Sequence, residues 1–200
     1  MRTPKCTFLA LASLALLPLA ACQDIFGPDR RQVGEMHFTY SGAVNGEFDA
    51  EGSMTLGNFR TGTFAYAQRG TDGNGNETLI IYAQEGRSNG DKYDGLFLAL
   101  ENTAERTVTC VESNPDCPLF SSFILGQDDT STGEAEAMFV GTAGQLTITE
   151  MDDDRVRGTF TLSMTALDVD GGVEVRSGTF DLPVTDEALF SPAKSGVFER

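Results

Sequence analysis

Apolar and polar residues alternate with a period of two along most of the chain, and this alternation predicts strands rather than helices. Met36, Phe38 and Tyr40 alternate with His37 and Thr39, and Phe48, Ala50 and Gly52 alternate with Glu47, Asp49 and Glu51. Shorter runs follow at 63–66, 79–82, 96–100, 107–110, 119–125, 137–140 and 146–149, the second of them apolar enough to be buried on both faces. Two longer segments close the pattern. Val156, Gly158, Phe160, Leu162 and Met164 share one face, and so do Val173, Val175, Phe180 and Leu182, except that the phase flips between Val175 and Phe180. A flip of that kind predicts a bulge near Ser177-Gly178.

Between the runs lie turn formers: Asn45-Gly46, the Asp72–Glu77 stretch of Asp, Gly and Asn, Asn89-Gly90-Asp91, and Asp168 to Gly172. No segment carries a helical stripe, although Thr185 could cap a single turn over 185–189. The chain therefore reads as all-β, with about ten strands in one domain over 36–200. Two architectures meet that description: an antiparallel β-sandwich and a closed antiparallel, calycin-like barrel. The uneven run lengths favour the sandwich, because strands around the rim of a ligand-holding barrel are expected to match in length. A Gly-Thr-Phe triplet recurs at 62–64, 158–160 and 178–180. Its chemistry is that of strands: Gly permits a bend, Thr favours extension and Phe enters the core.

Ahead of the domain the character changes. Arg2 and Lys5 precede an apolar run rich in Leu and Ala, which ends at Leu19-Ala20-Ala21-Cys22. The run is too short to span a bilayer and has the anatomy of a signal peptide over 1–21. Its last four residues resemble the lipobox of bacterial lipoproteins. The resemblance implies cleavage before Cys22 and lipidation of its sulfur. Acyl burial is worth about 0.8 kcal/mol per CH2, so two chains anchor stably. With Gln23 where an inner-membrane retention signal would place Asp, the same resemblance points to the outer membrane. Residues 22–35 form a tether with no periodicity, reaching at most ~45 Å when extended.

Removing 1–21 takes away two of the 14 basic residues and none of the 30 acidic ones, so the formal charge goes from −16 to 12 − 30 = −18. Such a chain is repelled by nucleic acid and by anionic lipid, which excludes nucleic acid as a partner and leaves the membrane to be held through the lipid on Cys22. Cys110 and Cys117 remain as a pair in an oxidising compartment, separated by a turn-forming stretch, and read as a disulfide. A metal or redox pair is the competing reading, but neither a His nor another Cys lies near them.

The C-terminal part carries Gly144-Gln145-Leu146-Thr147-Ile148-Thr149-Glu150, then Val156-Arg157-Gly158-Thr159-Phe160, then Val175-Arg176-Ser177-Gly178-Thr179-Phe180-Asp181-Leu182. Together these resemble a group of uncharacterised bacterial lipoproteins with a lipobox, a β-rich body and a closing pair of strands ending in Gly-Thr-Phe-Asp. The likeness covers roughly residues 140–185. It implies a β-sandwich at the periplasmic or outer face and brings no known activity.

Catalytic signals are sparse. His37 is the only histidine, and a lone histidine on the polar side of an alternating strand is ordinarily just solvated. Carboxylates are too abundant for any pair to stand out as a glycosidase dyad. Asp72 to Glu77 alternates oxygen side chains like the start of a calcium loop, but Glu77 stands where glycine is needed and Ala83 where a bidentate Glu is needed. The other acidic turns, Asp152-Asp153-Asp154 and Asp168/Asp170, have the composition any tight turn requires. The expectation is a non-enzymatic envelope lipoprotein, without cofactor or metal, that engages an envelope protein or glycan. A carrier of a small apolar ligand, its cavity lined by Phe and Met, is the alternative, and an envelope hydrolase comes third.

Overall fold

The computed structural model describes residues 32–54, 61–71, 75–88, 90–101, 106–112, 114, 116–128, 134–168 and 170–185. The expected signal segment, Cys22, most of the tether, the first half of the Asp72–Glu77 loop and the turn after Thr185 lie outside the described residues. Ten strands run in order: β1 (Gly34–Gly42), β2 (Gly46–Gly52), β3 (Phe64–Thr71), β4 (Glu77–Gly86), β5 (Lys92–Glu101), β6 (Thr107–Cys110), β7 (Leu119–Asp128), β8 (Ala137–Met151), β9 (Arg155–Ala166) and β10 (Gly172–Thr185). The alternation that predicts them is visible as burial. Along β9, Val156, Gly158, Phe160, Leu162 and Met164 are buried, whereas Arg157, Thr159 and Thr161 between them are exposed.

Strand pairing closes on itself through β10, β3, β4, β5, β7, β8, β9 and back to β10. Seven strands in a ring cannot all be antiparallel, because direction alternates and an odd ring leaves one pair alike. That pair is β10–β3, joined in parallel at Val184↔Ala67 and Thr185↔Gln68. The arrangement is thus the closed barrel, and the sandwich expected first is corrected. Unequal strand lengths do not prevent closure, because the long strands each serve two shorter partners end to end. β8 pairs with β7 up to Val140 and with β6 from Gly144 onward. β10 likewise pairs with β1 over 173–181 before meeting β3. The runs 137–140 and 146–149 are therefore one strand, and the residues between them mark a register shift at Gly141/Ala143 rather than a turn. Where β8 changes partner the sheet splits, leaving a cleft of about 220 Å³ beside Ser121, Thr142, Cys110 and Cys117.

The β1–β2 hairpin fills the wedge where β10 and β3 diverge. Gly34 and Gly52 let it approach closely: a Cβ on either would sit 2.0 Å from the Ala65 carbonyl oxygen or 2.3 Å from that of Thr63. The hairpin delivers Phe38 and Phe48 to the interior, where their rings stack at 4.7 Å. Phe38 also meets Phe123 of β7 edge-on at 5.4 Å and Phe160 of β9 at 5.7 Å, and Phe123 stacks on Phe139 of β8 at 6.2 Å. Each full burial of such a ring is worth roughly 1.5–3 kcal/mol, with edge and stacking geometry adding to it. Outside the ring, Phe64, Tyr66 and Tyr82 form a second aromatic group on β3 and β4, and Phe97 meets the half-exposed Phe120 on β5 and β7.

The expected bulge is present. Opposite Phe38 alone, β10 carries both Ser177 and Gly178, and the register against β9 shifts between Val175 and Gly178. Beyond it the Gly-Thr-Phe triplets of β9 and β10 face each other, with Gly178 opposite Phe160 and Phe180 opposite Gly158. A Cβ on Gly158 would lie 2.4 Å from the Phe180 ring, and one on Gly178 2.6 Å from the Phe160 ring. Each phenylalanine thus covers the other triplet's glycine, the cross-strand exchange of a large ring for a missing side chain.

Truncating the hub tests this core. Phe38→Ala is expected to destabilise the fold by about 3–5 kcal/mol, since it leaves a void among rings that the closed wall cannot collapse to fill. Chemical denaturation gives the value directly, and a loss under about 1 kcal/mol would show that the hairpin does not hold the interior.

Candidate functional site

Of the site residues expected from sequence, Cys22 lies outside the described residues. Cys110 and Cys117 are joined as a disulfide with Cα atoms 5.5 Å apart. The bond ties the end of β6 to the approach to β7, where the Leu119 N–H donates to Cys117 Sγ at 3.2 Å. It therefore clasps the split in the sheet. His37 stands on the outer side of β1, with Nε2 3.4 Å from Glu47 Oε1 across the hairpin, a contact at a solvated edge. Asp152 is a turn residue: its Oδ1 accepts the N–H groups of Asp154 and Arg155, and those bonds hold its carboxyl below the usual range. Among the described residues no three His, Cys, Asp or Glu side chains gather as a metal site.

Two features emerge that sequence reasoning did not single out. The first is a charged group where β4, β5 and β8 meet. Arg87, just after β4, bonds Asp94 of β5 at 2.8 Å and Glu136, just before β8, at 2.8 Å, and Lys92 bonds the other oxygen of Glu136 at 3.0 Å. Asp94 also accepts the Gly126 N–H at 2.6 Å. Glu85 accepts the Asp49 N–H at 3.1 Å, fastening the free edge of β2 to β4. Burial raises the Glu85 carboxyl above its ordinary range, and the nearby Asp94 and Asp49 carboxylates add to this. Hydrogen bonds from Lys92 and Arg87 lower that of Glu136. The partners of these carboxylates among the described residues are structural ones, so the group works as a fastening of barrel and hairpin. Its members are scattered over 49–136, and only the pairing of strands brings them together.

The second feature is a hydroxyl-rich outer surface on β6, β8, β9 and β10, on which Arg176 of β10 is an exposed cation beside Ser177. Strand register aligns Thr107, Thr147, Thr159 and Thr179 in one cross-strand row. Thr109, Gln145 and Thr161 form the row beside it. Charged side chains bound it at one end, where Arg157 bonds both Glu150 and Asp181 and Arg155 bonds Asp181. Glu174, which accepts the Ser163 hydroxyl at 2.9 Å, bounds the other. In the middle, at the β10 bulge, lies a depression of about 290 Å³ lined by Gln145, Thr159, Thr161, Ser177 and Thr179 around Gly178 and the Phe160 ring beneath it. The sequence signal for this surface was the Thr-x-Thr spacing at 107–109, 147–149 and 159–161, which strand propensity alone also produces.

Comparison of the chain with protein-family models, with curated proteins and with solved structures found no match.

Two measurements test these contacts. A carboxyl whose folded pKa is raised weighs against the fold when ionised, so Glu85 lowers stability at neutral pH, and the penalty lifts as pH falls through the raised value towards the ordinary 4.5. Glu136 has the opposite sign: its contribution is present above 4.5 and is lost as pH falls through its depressed value. Glu85→Gln keeps an oxygen for the Asp49 N–H. It is expected to raise Tm at neutral pH by roughly 1–4 °C and to give no gain below about pH 4; a variant less stable at neutral pH would contradict the burial argument. Replacing Cys110 and Cys117 by Ser is expected to lower unfolding free energy by ~2.5 kcal/mol, the entropy of closing so small a ring. Denaturant titration of the oxidised wild type against the double variant measures it.

Proposed function

We propose that this chain is a cell-envelope lipoprotein, held at the outer membrane by acyl chains on Cys22, whose β-barrel is a non-catalytic binding or structural module acting through its outer surface. The observation that carries the outer-surface reading is the occupied interior. Phe38, Phe48, Phe123 and Phe139 are at most 1% exposed and fill the ring together with Phe160. A ring of seven strands lies at the size where side chains alone occupy the lumen. A carrier needs an empty, lined cavity, so the small-ligand reading is set aside. The non-catalytic reading is supported by the partners of the titratable groups: His37 faces Glu47 at a solvated edge, and Asp94, Glu136 and Asp181 are engaged by Arg or Lys.

Anchorage follows from the resemblance of Leu19-Ala20-Ala21-Cys22 to a lipobox, together with a net charge that repels an anionic bilayer. Metabolic labelling with radioactive palmitate in a didermal bacterial host tests it. The wild-type chain is expected to take up label and to sediment with outer-membrane vesicles, and Cys22→Ser is expected to lose both. Label retained by the variant would defeat the assignment.

A further inference from the structure

We infer that the uncharged depression at the β10 bulge is the binding site of this outer surface, and that its ligand is a neutral polysaccharide strand with one sugar ring seated over Gly178. The inference rests on the outer-surface reading above and gives it a place and a ligand class.

Unsatisfied hydroxyls are the first observation. Thr39, Thr142 and Thr149 on neighbouring outer positions donate to the backbone carbonyls of Arg176, Ser163 and Arg157. Thr107 and Thr147 bond each other at 3.3 Å. The hydroxyls of Thr159, Thr161, Thr179 and Ser177, which ring the depression, have no protein partner among the described residues. They are exposed, fixed on paired strands and directed to one concavity.

Ser177 is the second. Its φ of 53° makes it the only described non-glycine residue in the left-handed region. There an L-residue is destabilised by roughly 1–2 kcal/mol relative to its usual conformation, and glycine is the residue that avoids it. The chain instead carries a serine, whose hydroxyl joins the rim. An outlier of this kind points toward a site rather than toward stability.

Charge supplies the third. The lining holds no ionisable side chain, in a chain 22% charged with a net charge of −16. Arg176 stands beside Ser177 on the same outer face, but the net charge of the chain repels a polyanionic strand, and a cationic peptide finds no carboxylate in the lining. What the lining offers is hydroxyls and one amide for hydrogen bonds, interleaved with threonine methyls. A pyranose ring offers the complement, equatorial hydroxyls around patches of C–H. The volume suits one such ring and sits near the lower bound for ligand pockets. Adjacent rows lie about 4.8 Å apart across strands and about 6.8 Å along them, so a chain of sugars extends over the same face. Threonine side chains are stiff at χ1, so little rotamer freedom is lost when they bind.

The test uses the full chain in detergent, labelled with 13C at threonine methyls, and titrated with cellohexaose, maltohexaose and chitohexaose followed by NMR. The methyl signals of Thr159, Thr161 and Thr179 are expected to move saturably with at least one of these, with affinity of roughly millimolar or better. The double variant Thr159→Val with Thr179→Val keeps side-chain shape and breaks no bond within the protein, and is expected to weaken binding at least about tenfold. Ser177→Gly relieves the backbone and is expected to keep or raise Tm while weakening binding, which separates the ligand role from folding. The inference is overturned by absence of saturable shifts with all three sugars, by shifts confined to threonines away from the depression such as Thr78 and Thr142, or by full affinity in the double valine variant. None of those results touches palmitate labelling of Cys22, so failure of the site and failure of the anchored-module reading are told apart.

Discussion

The stacked pair Phe38–Phe48 is the contact on which the rest of the molecule depends. Seven strands close with one parallel junction, and that junction is short: β10 meets β3 at two residue pairs and has already diverged from it over the remainder of its length. Left alone, the divergence would open the barrel and wet its interior. The β1–β2 hairpin occupies the wedge, continues the ladder of β10, and places two rings where they touch β7 and β9 on the far wall. The hairpin is both wall and filling. The Asp49–Glu85 bond then fastens its open edge to β4, and beside it Arg87 ties Asp94 of β5 to Glu136.

This explains how much of the fold could be read from the chain. Alternation fixes which residues face inward on one strand, so the strand count, the inward faces and the bulge at Ser177 were all legible. Alternation contains nothing about partners. Whether Val184 pairs with Ala67, or whether β8 serves β7 and β6 in turn, depends on contacts between residues far apart in sequence, and sandwich and barrel differ only in those. Run length misled for the same reason: a long strand looked incompatible with a closed ring because its two successive partners could not be seen. The break read between Val140 and Leu146 fell where Gly141 to Gly144 interrupt the apolar pattern, yet pairing with β9 carries the strand across it.

The candidate site was legible only in its ingredients. Thr-x-Thr at 107–109, 147–149 and 159–161 was visible, but β-branched residues on the wet side of a sheet are what strand formation itself favours. Three facts absent from the chain's order distinguish this face from an ordinary one: the rows align across strands, the bulge hollows their centre, and four hydroxyls have no protein partner among the described residues. The disulfide was the opposite case. Two cysteines seven residues apart with a turn between them have one pairing to make, so local spacing was sufficient.

Charge ties the site to the proposed anchor. A mature domain at −18 is repelled by anionic lipid, so on the lipoprotein reading its attachment rests on acyl chains and its folded body is pushed away from the surface that holds it. The same repulsion acts on any polyanionic partner approaching from solution. The part of the outer face best placed to escape it is the stretch over β8, β9 and β10 that holds no carboxylate among the described residues, between the ion pairs of Arg157 and Arg155 at one end and Glu174 at the other. A neutral ligand meets no electrostatic penalty there. On the proposed reading, acidity and the hydroxyl face therefore act together: the first holds the domain clear of the bilayer, and the second is the patch left to bind.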